Sequence, residues 1–222
     1  YFSFPLIAVG NLTVGGTGKT PHIEYLAGLL SGNYKVAVLS RGYRRKSKGF
    51  RLVDTGSDVD LSGDEPLQIK QKYTDITVAV DRDRVHGVNE IMRLKPETEI
   101  ILLDDAYQHR YIDAGLTILL IDYNRLITED YLLPAGRLRE HRSSARRADI
   151  VLISKTPPEL TAIGMRIIYK NLPLLPAQHL FFTSFAYMEP RALFDGRLRP
   201  PSMEKIKSNH RNVLLVTGIA EP

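Results

Sequence analysis

Val9-Gly10-Asn11-Leu12-Thr13-Val14-Gly15-Gly16-Thr17-Gly18-Lys19-Thr20-Pro21 decides the reading of this chain. An apolar run from Pro5 to Val9 leads into it, and a helix-like stretch from His22 to Leu30 follows. The order is strand, glycine-rich loop, helix. In that arrangement successive backbone N–H groups turn inward around phosphate oxygens, and the helix N-terminus adds its positive dipole end. Lys19 is then placed to reach the β- and γ-phosphates, and Thr20 to offer its hydroxyl to Mg²⁺. The candidate nucleotide contacts are Thr13, Val14, Gly15, Gly16, Thr17, Gly18, Lys19 and Thr20. A strict phosphate-loop pattern asks for glycine where this chain has Thr13, but Gly18-Lys19-Thr20 is intact and Gly10, Gly15 and Gly16 add freedom nearby. The stretch predicts a nucleoside triphosphate site.

Working outward, short apolar runs alternate with helical patterns. Strands are expected at Leu6–Val9, Lys35–Leu39, Ile76–Val80, Glu99–Leu103, Thr117–Ile121, Ile150–Ile153, Leu180–Ala186 and Val213–Thr217. Helices are expected at Pro21–Leu30, Pro66–Tyr73, Val85–Leu94 and near Pro158–Lys170. Continuous apolar strands separated by helices predict a mostly parallel sheet covered on both faces. The class is α/β, with ligand bound beyond the carboxyl ends of the strands. From Met188 the pattern turns irregular. Residues 1–187 therefore read as a phosphate-loop core, and residues 188–222 as a linker and the start of a second, smaller α/β lobe.

Composition narrows the chemistry. The 222 residues contain no cysteine, which removes disulfides, thiolate metal sites and cysteine nucleophiles. A net charge of +5 suits an anionic partner without specifying one. No apolar run approaches the length of a membrane-spanning helix, and no signal peptide is visible. The chain opens on Tyr1 and stops at Pro222, just after a strand-like run, so the expectation is a truncated piece of a longer protein.

Several further motifs end strands. Ile100-Ile101-Leu102-Leu103-Asp104-Asp105 is an apolar run closing on two acids, the pattern that supplies a metal-positioning carboxylate beside a phosphate loop. Adjacent strand residues face opposite sides, so the two acids are equivalent only if the strand has ended. Gly63-Asp64-Glu65-Pro66 precedes a helix. Proline favours the first helical position, which leaves Asp64 in the loop, either complementing the helix dipole or free to accept a proton from an attacking hydroxyl. Asp81-Arg82-Asp83-Arg84 and Leu133–Glu140 (LPAGRLRE) bring arginines to strand ends. With the basic stretch Arg41–Arg51, they predict a shared anionic cleft in which guanidinium groups fork onto phosphate oxygens.

Together the motifs resemble the tetraacyldisaccharide 4'-kinase family of lipid A biosynthesis in Gram-negative bacteria. The matching pieces are VGNLTVGGTGKTP, LSRGY at Leu39–Tyr43, GDEP at Gly63–Pro66, DDAYQHR at Asp104–Arg110, LPAGRLRE at Leu133–Glu140, RRAD at Arg146–Asp149 and TGIAEP at Thr217–Pro222. Departures are small: Ala106 stands where the family commonly has Gly, and Arg137 and His141 where it commonly has Pro. The resemblance implies transfer of the ATP γ-phosphate, with Mg²⁺, to the 4'-hydroxyl of a lipid A disaccharide 1-phosphate at the cytoplasmic face of the inner membrane. It implies Asp64 as the catalytic carboxylate, Lys19 and Thr20 as phosphate and Mg²⁺ contacts, and Asp104 and Asp105 as the acidic pair, with Asp105 favoured as the direct metal contact. Tyr43, Arg84, His109, Arg139 and Glu140 match positions lining the cleft. A second-lobe histidine paired with the catalytic acid, and an N-terminal amphipathic membrane helix, would both lie outside residues 1–222.

Two other classes compete. A phosphate-loop ATPase or GTPase working as a switch or assembly factor would hydrolyse nucleotide without a lipid acceptor. A partitioning-type ATPase carries a lysine where this chain has Val14, and a guanine-specific switch needs an aspartate where Pro157 follows Ile153-Ser154-Lys155-Thr156. A nucleic-acid module would use the Arg41–Arg51 loop, yet only Tyr43 and Phe50 are available there as stacking platforms. No nucleic acid is therefore expected as a partner, and nothing in the sequence points to a protein partner.

Overall fold

The computed structural model describes residues 4–109 and 111–186, together with Ser202 and Glu204. The expected strand Val213–Thr217, the linker and second lobe from Met188, the TGIAEP segment and Arg110 lie outside the described residues. Eight strands form one sheet: β1 Leu6–Asn11, β2 Val36–Ser40, β3 Arg51–Leu52, β4 Thr77–Val80, β5 Ile100–Asp104, β6 Leu116–Asp122, β7 Ile150–Ser154 and β8 His179–Phe182. Their spatial order is β3-β4-β2-β5-β1-β6-β7-β8. Every pairing is parallel except that of the two-residue edge strand β3 with β4.

The helices described between residues 4 and 186 are α1 Lys19–Ser31, α2 Val59–Ser62, α3 Asp64–Lys72, α4 Arg84–Leu94 and α5 Ala162–Asn171. Strand residues alternate between two faces. On one face Val9, Val38, Leu102, Ile118 and Leu120 pack with Ile23 and Ala27 of α1 and with Leu67 and Ile69 of α3. On the other, Ala8, Leu39 and Leu103 meet Val88 and Ile91 of α4. Farther along that second face, Leu119, Ile121, Val151 and Ile153 meet Ile168 of α5 and Leu172 just beyond it. Burial of both faces is why the strands read as unbroken apolar runs.

The expected α/β sheet with helices on both sides is present, and its differences are local. Three short elements had no visible pattern: β3, the one-turn α2 and a 3₁₀ turn at Arg142–Arg147. Helix α5 starts at Ala162 rather than near Pro158, because Thr161 caps it by accepting from the Gly164 N–H at 3.2 Å. Strand β8 stops at Phe182, where its pairing with β7 ends. Helix α3 begins at Asp64, not at Pro66. Gly63, at φ 90° and ψ 154°, adopts a conformation reserved for glycine and turns the chain into the helix two residues early. Pro66 still falls in the first turn, where its missing N–H costs nothing. Asp64 therefore stands on the first turn of a helix rather than in a loop.

Helices α1 and α3 lie side by side. Glu24, buried on α1, accepts from Gln68 Nε2 at 2.6 Å and pairs with Lys72, both on α3. This contact brings the start of α3 opposite the start of α1. Among the described residues no helix is long and apolar enough to cross a membrane.

Candidate active site

Strand β1 delivers the chain into the glycine-rich loop at the carboxyl edge of the sheet. Gly15 (φ 110°) and Gly18 (φ 79°) both sit in left-handed backbone regions. The loop's entry is held by the LPAGRLRE segment. The Val14 N–H donates to Arg137 O at 2.8 Å, the Arg139 N–H donates to Leu12 O at 2.7 Å, and Thr13 bridges to Leu138. From within, Asn11 Nδ2 donates to Thr17 Oγ1 at 2.9 Å. Gly10 has a separate role. A Cβ there would stand 2.7 Å from Tyr107 Cβ and 2.8 Å from the Tyr107 backbone N, so the segment after β5 crosses directly over β1. Gly10→Ala is expected to destabilise the fold by about 1–3 kcal/mol, as overpacking against backbone does, read as a lower urea midpoint at unchanged m-value.

The acids gather around Lys19. Its Nζ lies 3.4 Å from Asp105 Oδ1 and 3.3 Å from Asn11 Oδ1. Arg139 Nη1 approaches Asp105 Oδ2 at 3.5 Å. Burial alone would raise the Asp105 pKa, but Lys19 and Arg139 outweigh it and hold the carboxyl below the usual range. Asp105 adopts φ 49°, so β5 has ended at Asp104 and the two neighbours no longer alternate as strand residues. Asp104 is buried, accepts from Ser40 Oγ at 3.0 Å, and has its pKa pushed up to about 6 by burial and by the charges of Glu65 and Asp105.

Across from this pair, Thr20 Oγ1 donates to Glu65 Oε1 at 2.9 Å. That bond ties the first turn of α3, which also carries Asp64, to the first turn of α1. Asp64 is exposed, and its Oδ1 accepts from the Glu65 N–H at 2.9 Å. The oxygen-rich set Thr20, Glu65, Asp104 and Asp105 suits a hard divalent cation. Asp105 Oδ1, buried and met by Lys19 at the long distance of 3.4 Å, is a ligand atom such an ion would satisfy. Among the described residues, no three acids or histidines alone form a metal cage. A cation here would share its coordination with phosphate oxygens and water, as Mg²⁺ ordinarily does.

The remaining expected residues divide by what they touch. Arg84 is 2 % exposed; its Nη1 donates to Asp81 O at 2.5 Å and its Nη2 to Asp104 O at 2.9 Å. It braces the ends of the strands from below rather than reaching into solvent, which corrects the picture of an open phosphate clamp at this position. His109 is half-buried, and burial followed by the charges of Arg84 and Arg41 lowers its pKa. Arg41 and Arg84 thus bear electrostatically on one imidazole, while Arg139 sits on Asp105. Glu140 takes two donors from Arg147, at 2.6 and 3.2 Å, and that guanidinium stacks 4.7 Å over the Tyr107 ring. Tyr43 is 67 % exposed, beneath the guanidinium of Arg44.

Two residues of this neighbourhood carried no assignment in the sequence. Glu65 was visible only as the acid after Asp64; its bond to Thr20 depends on how two helices pack. Gln108 donates to Asn11 O at 2.6 Å and accepts from Arg139 at 3.4 Å, a bridge that local pattern does not announce.

A phosphate loop, an acid pair on its lysine, and a further acid at the neighbouring helix start are a specific combination. The family model described as tetraacyldisaccharide-1-P 4'-kinase matches residues 1–222, the whole chain. The chain belongs to this kinase family. A tetraacyldisaccharide 4'-kinase from Phocaeicola vulgatus is 52% identical over all of this chain, which covers 60% of that protein. Its counterpart from Bacteroides fragilis is 51% identical, with 59% of it covered. Among solved structures, LpxK from Aquifex aeolicus in complex with ATP superposes with a TM-score of 0.67 at 36% identity, over 82% of this chain and 54% of that one. The chain thus spans about 60% of the length of the curated 4'-kinases it matches.

Proposed function

We propose that this chain is the nucleotide-binding part of a lipid kinase. The reaction moves the γ-phosphoryl group of ATP to the 4'-hydroxyl of a tetraacyldisaccharide 1-phosphate. The observation that carries the reading is a pair of contacts at the start of α1: Lys19 on Asp105, and Thr20 on Glu65, the residue after Asp64. Membership of the 4'-kinase family supports the acceptor, and the Aquifex relative's complex with ATP supports the donor.

In phosphoryl transfer, positioning and charge neutralisation supply most of the acceleration. The amides of Gly15 to Thr20 and the Lys19 ammonium hold the triphosphate. Thr20 and Asp105 would hold Mg²⁺, with Asp104 and Glu65 beside them; when bound, the ion would supply neutralisation of phosphate charge. Asp105 is the stronger candidate for direct contact, since Lys19 and Arg139 keep it ionised while burial favours protonation of Asp104. The sugar oxygen attacks phosphorus in line, the bond to the β,γ-bridging oxygen breaks, ADP leaves, and the hydroxyl proton passes to Asp64. Tyr43, His109 and Arg139 line the approach, with Arg84 and Glu140 supporting them. An acceptor carrying four acyl chains places the enzyme peripherally at a bilayer, the cytoplasmic face of the inner membrane. The test is ATP-dependent phosphorylation of tetraacyldisaccharide 1-phosphate by the full-length protein. Acceptor-dependent ADP release is expected; hydrolysis at the same rate without lipid would point to a switch ATPase.

A further inference from the structure

The phosphate loop is gripped from behind by two side chains to which no role has been given above. Ser154 Oγ, at the end of β7, donates to Thr17 O at 2.8 Å and is fully buried. His22, in the first turn of α1 and also buried, has its Nδ1 2.7 Å from Gly18 O. A carbonyl can only accept, so Nδ1 carries the proton; Nε2 of the neutral ring then accepts from Thr183 Oγ1 at 2.9 Å. The ordinary helical bond to the same carbonyl, from the His22 backbone N–H, is stretched to 3.4 Å, so the imidazole is the closer donor. Phe185 closes the arrangement. It meets the His22 ring edge-on at 6.3 Å, and a Cβ on Gly18 would lie 3.0 Å from its ring.

A trans peptide unit is planar, and its C=O and N–H point in opposite directions. Fixing the Thr17 carbonyl therefore aims the Gly18 N–H, and fixing the Gly18 carbonyl aims the Lys19 N–H. Each N–H then points away from the side chain that holds its carbonyl. We propose that His22 and Ser154 are positioning residues for the nucleotide: each holds a loop carbonyl from behind so that the Lys19 and Gly18 amides face the triphosphate, with Thr183 locking the imidazole in place. This rests on reading the loop as the ATP site. It adds that the chain leaving β8, through Thr183 and Phe185, is mechanically joined to that site.

The test measures ADP and ATP binding by calorimetry, and KM for ATP against kcat, in the full-length protein with His22→Ala, His22→Asn, His22→Gln and Ser154→Ala. Asparagine places an amide nitrogen where Nδ1 stood; glutamine places it nearer Nε2. Misdirecting one amide donor to a charged phosphate should weaken nucleotide binding about tenfold in His22→Ala and Ser154→Ala. KM should rise with kcat little changed, since these amides grip ground and transition state alike. His22→Asn should bind within about twofold of the parent, and His22→Gln should resemble His22→Ala. Unchanged ADP affinity in His22→Ala, or equal losses in the asparagine and glutamine variants, would overturn the proposal. If the alanine variant does not fold, the asparagine–glutamine contrast still decides it. ADP binding needs no lipid, so the result stands apart from the fate of the kinase reading.

Discussion

Lys19→Ala is expected to lower turnover of the full-length enzyme on the order of a hundredfold or more, the scale of losing one strong preorganised donor to developing charge. Lys19 already sits between Asn11 Oδ1 and Asp105 Oδ1 at 3.3 and 3.4 Å. Its ammonium needs little reorganisation to meet a phosphate, and its removal leaves Asp105, which is largely withdrawn from water, with Arg139 as its remaining cation. The loss should therefore appear in kcat as well as in nucleotide affinity. Lys19→Arg should recover only part of it, because a planar fork does not reproduce a compact point charge. Steady-state kinetics with saturating lipid would settle the matter; a rate near that of the parent removes Lys19 from the chemistry.

Asp64→Ala should produce the opposite split. A general base is worth about a hundredfold or more in rate, yet among the described residues the Asp64 carboxylate accepts only from the neighbouring Glu65 N–H. Turnover should fall by at least that factor while ATP affinity moves less than about twofold. Asp64→Asn keeps the contact geometry without the proton-accepting charge, so it should be as slow as the alanine variant. Binding measured by calorimetry and turnover by phosphate transfer separate the two quantities. If ATP binding collapsed together with the rate, Asp64 would belong to the scaffold of α3.

Much of this was legible in the primary structure because local signals and tertiary outcome agree. Unbroken apolar runs such as Ile100–Leu103 are what a doubly covered strand requires, and the glycine-rich loop before a helix admits few other architectures. The convergence of Lys19 with Asp105 follows from β1 and β5 being neighbours, which a strand-end acid pair already suggests. Harder to read were features set by packing between distant segments. The start of α3 depended on the backbone freedom of Gly63, not on Pro66. Arg84 looked like any strand-end arginine until its guanidinium was found spent on two carbonyls. Glu65, Gln108 and Ser154 owe their places to partners far along the chain, and His22 joins a carbonyl four residues back to Thr183; no spacing rule announces these contacts.

The position of β1 has a consequence for how the protein is made. It is synthesised well before its two flanking partners, which come from far downstream: Leu6 pairs with Ile101, and Ile7 with Leu116. Until β5 and β6 have been synthesised, an apolar ribbon with both edges bare must wait in the growing polypeptide. Parallel pairing across such sequence separations is slow and prone to off-pathway association. Nascent-chain length, more than any single side chain, should therefore decide when the nucleotide pocket comes into being, and holdase chaperones should matter most before residue 116 emerges.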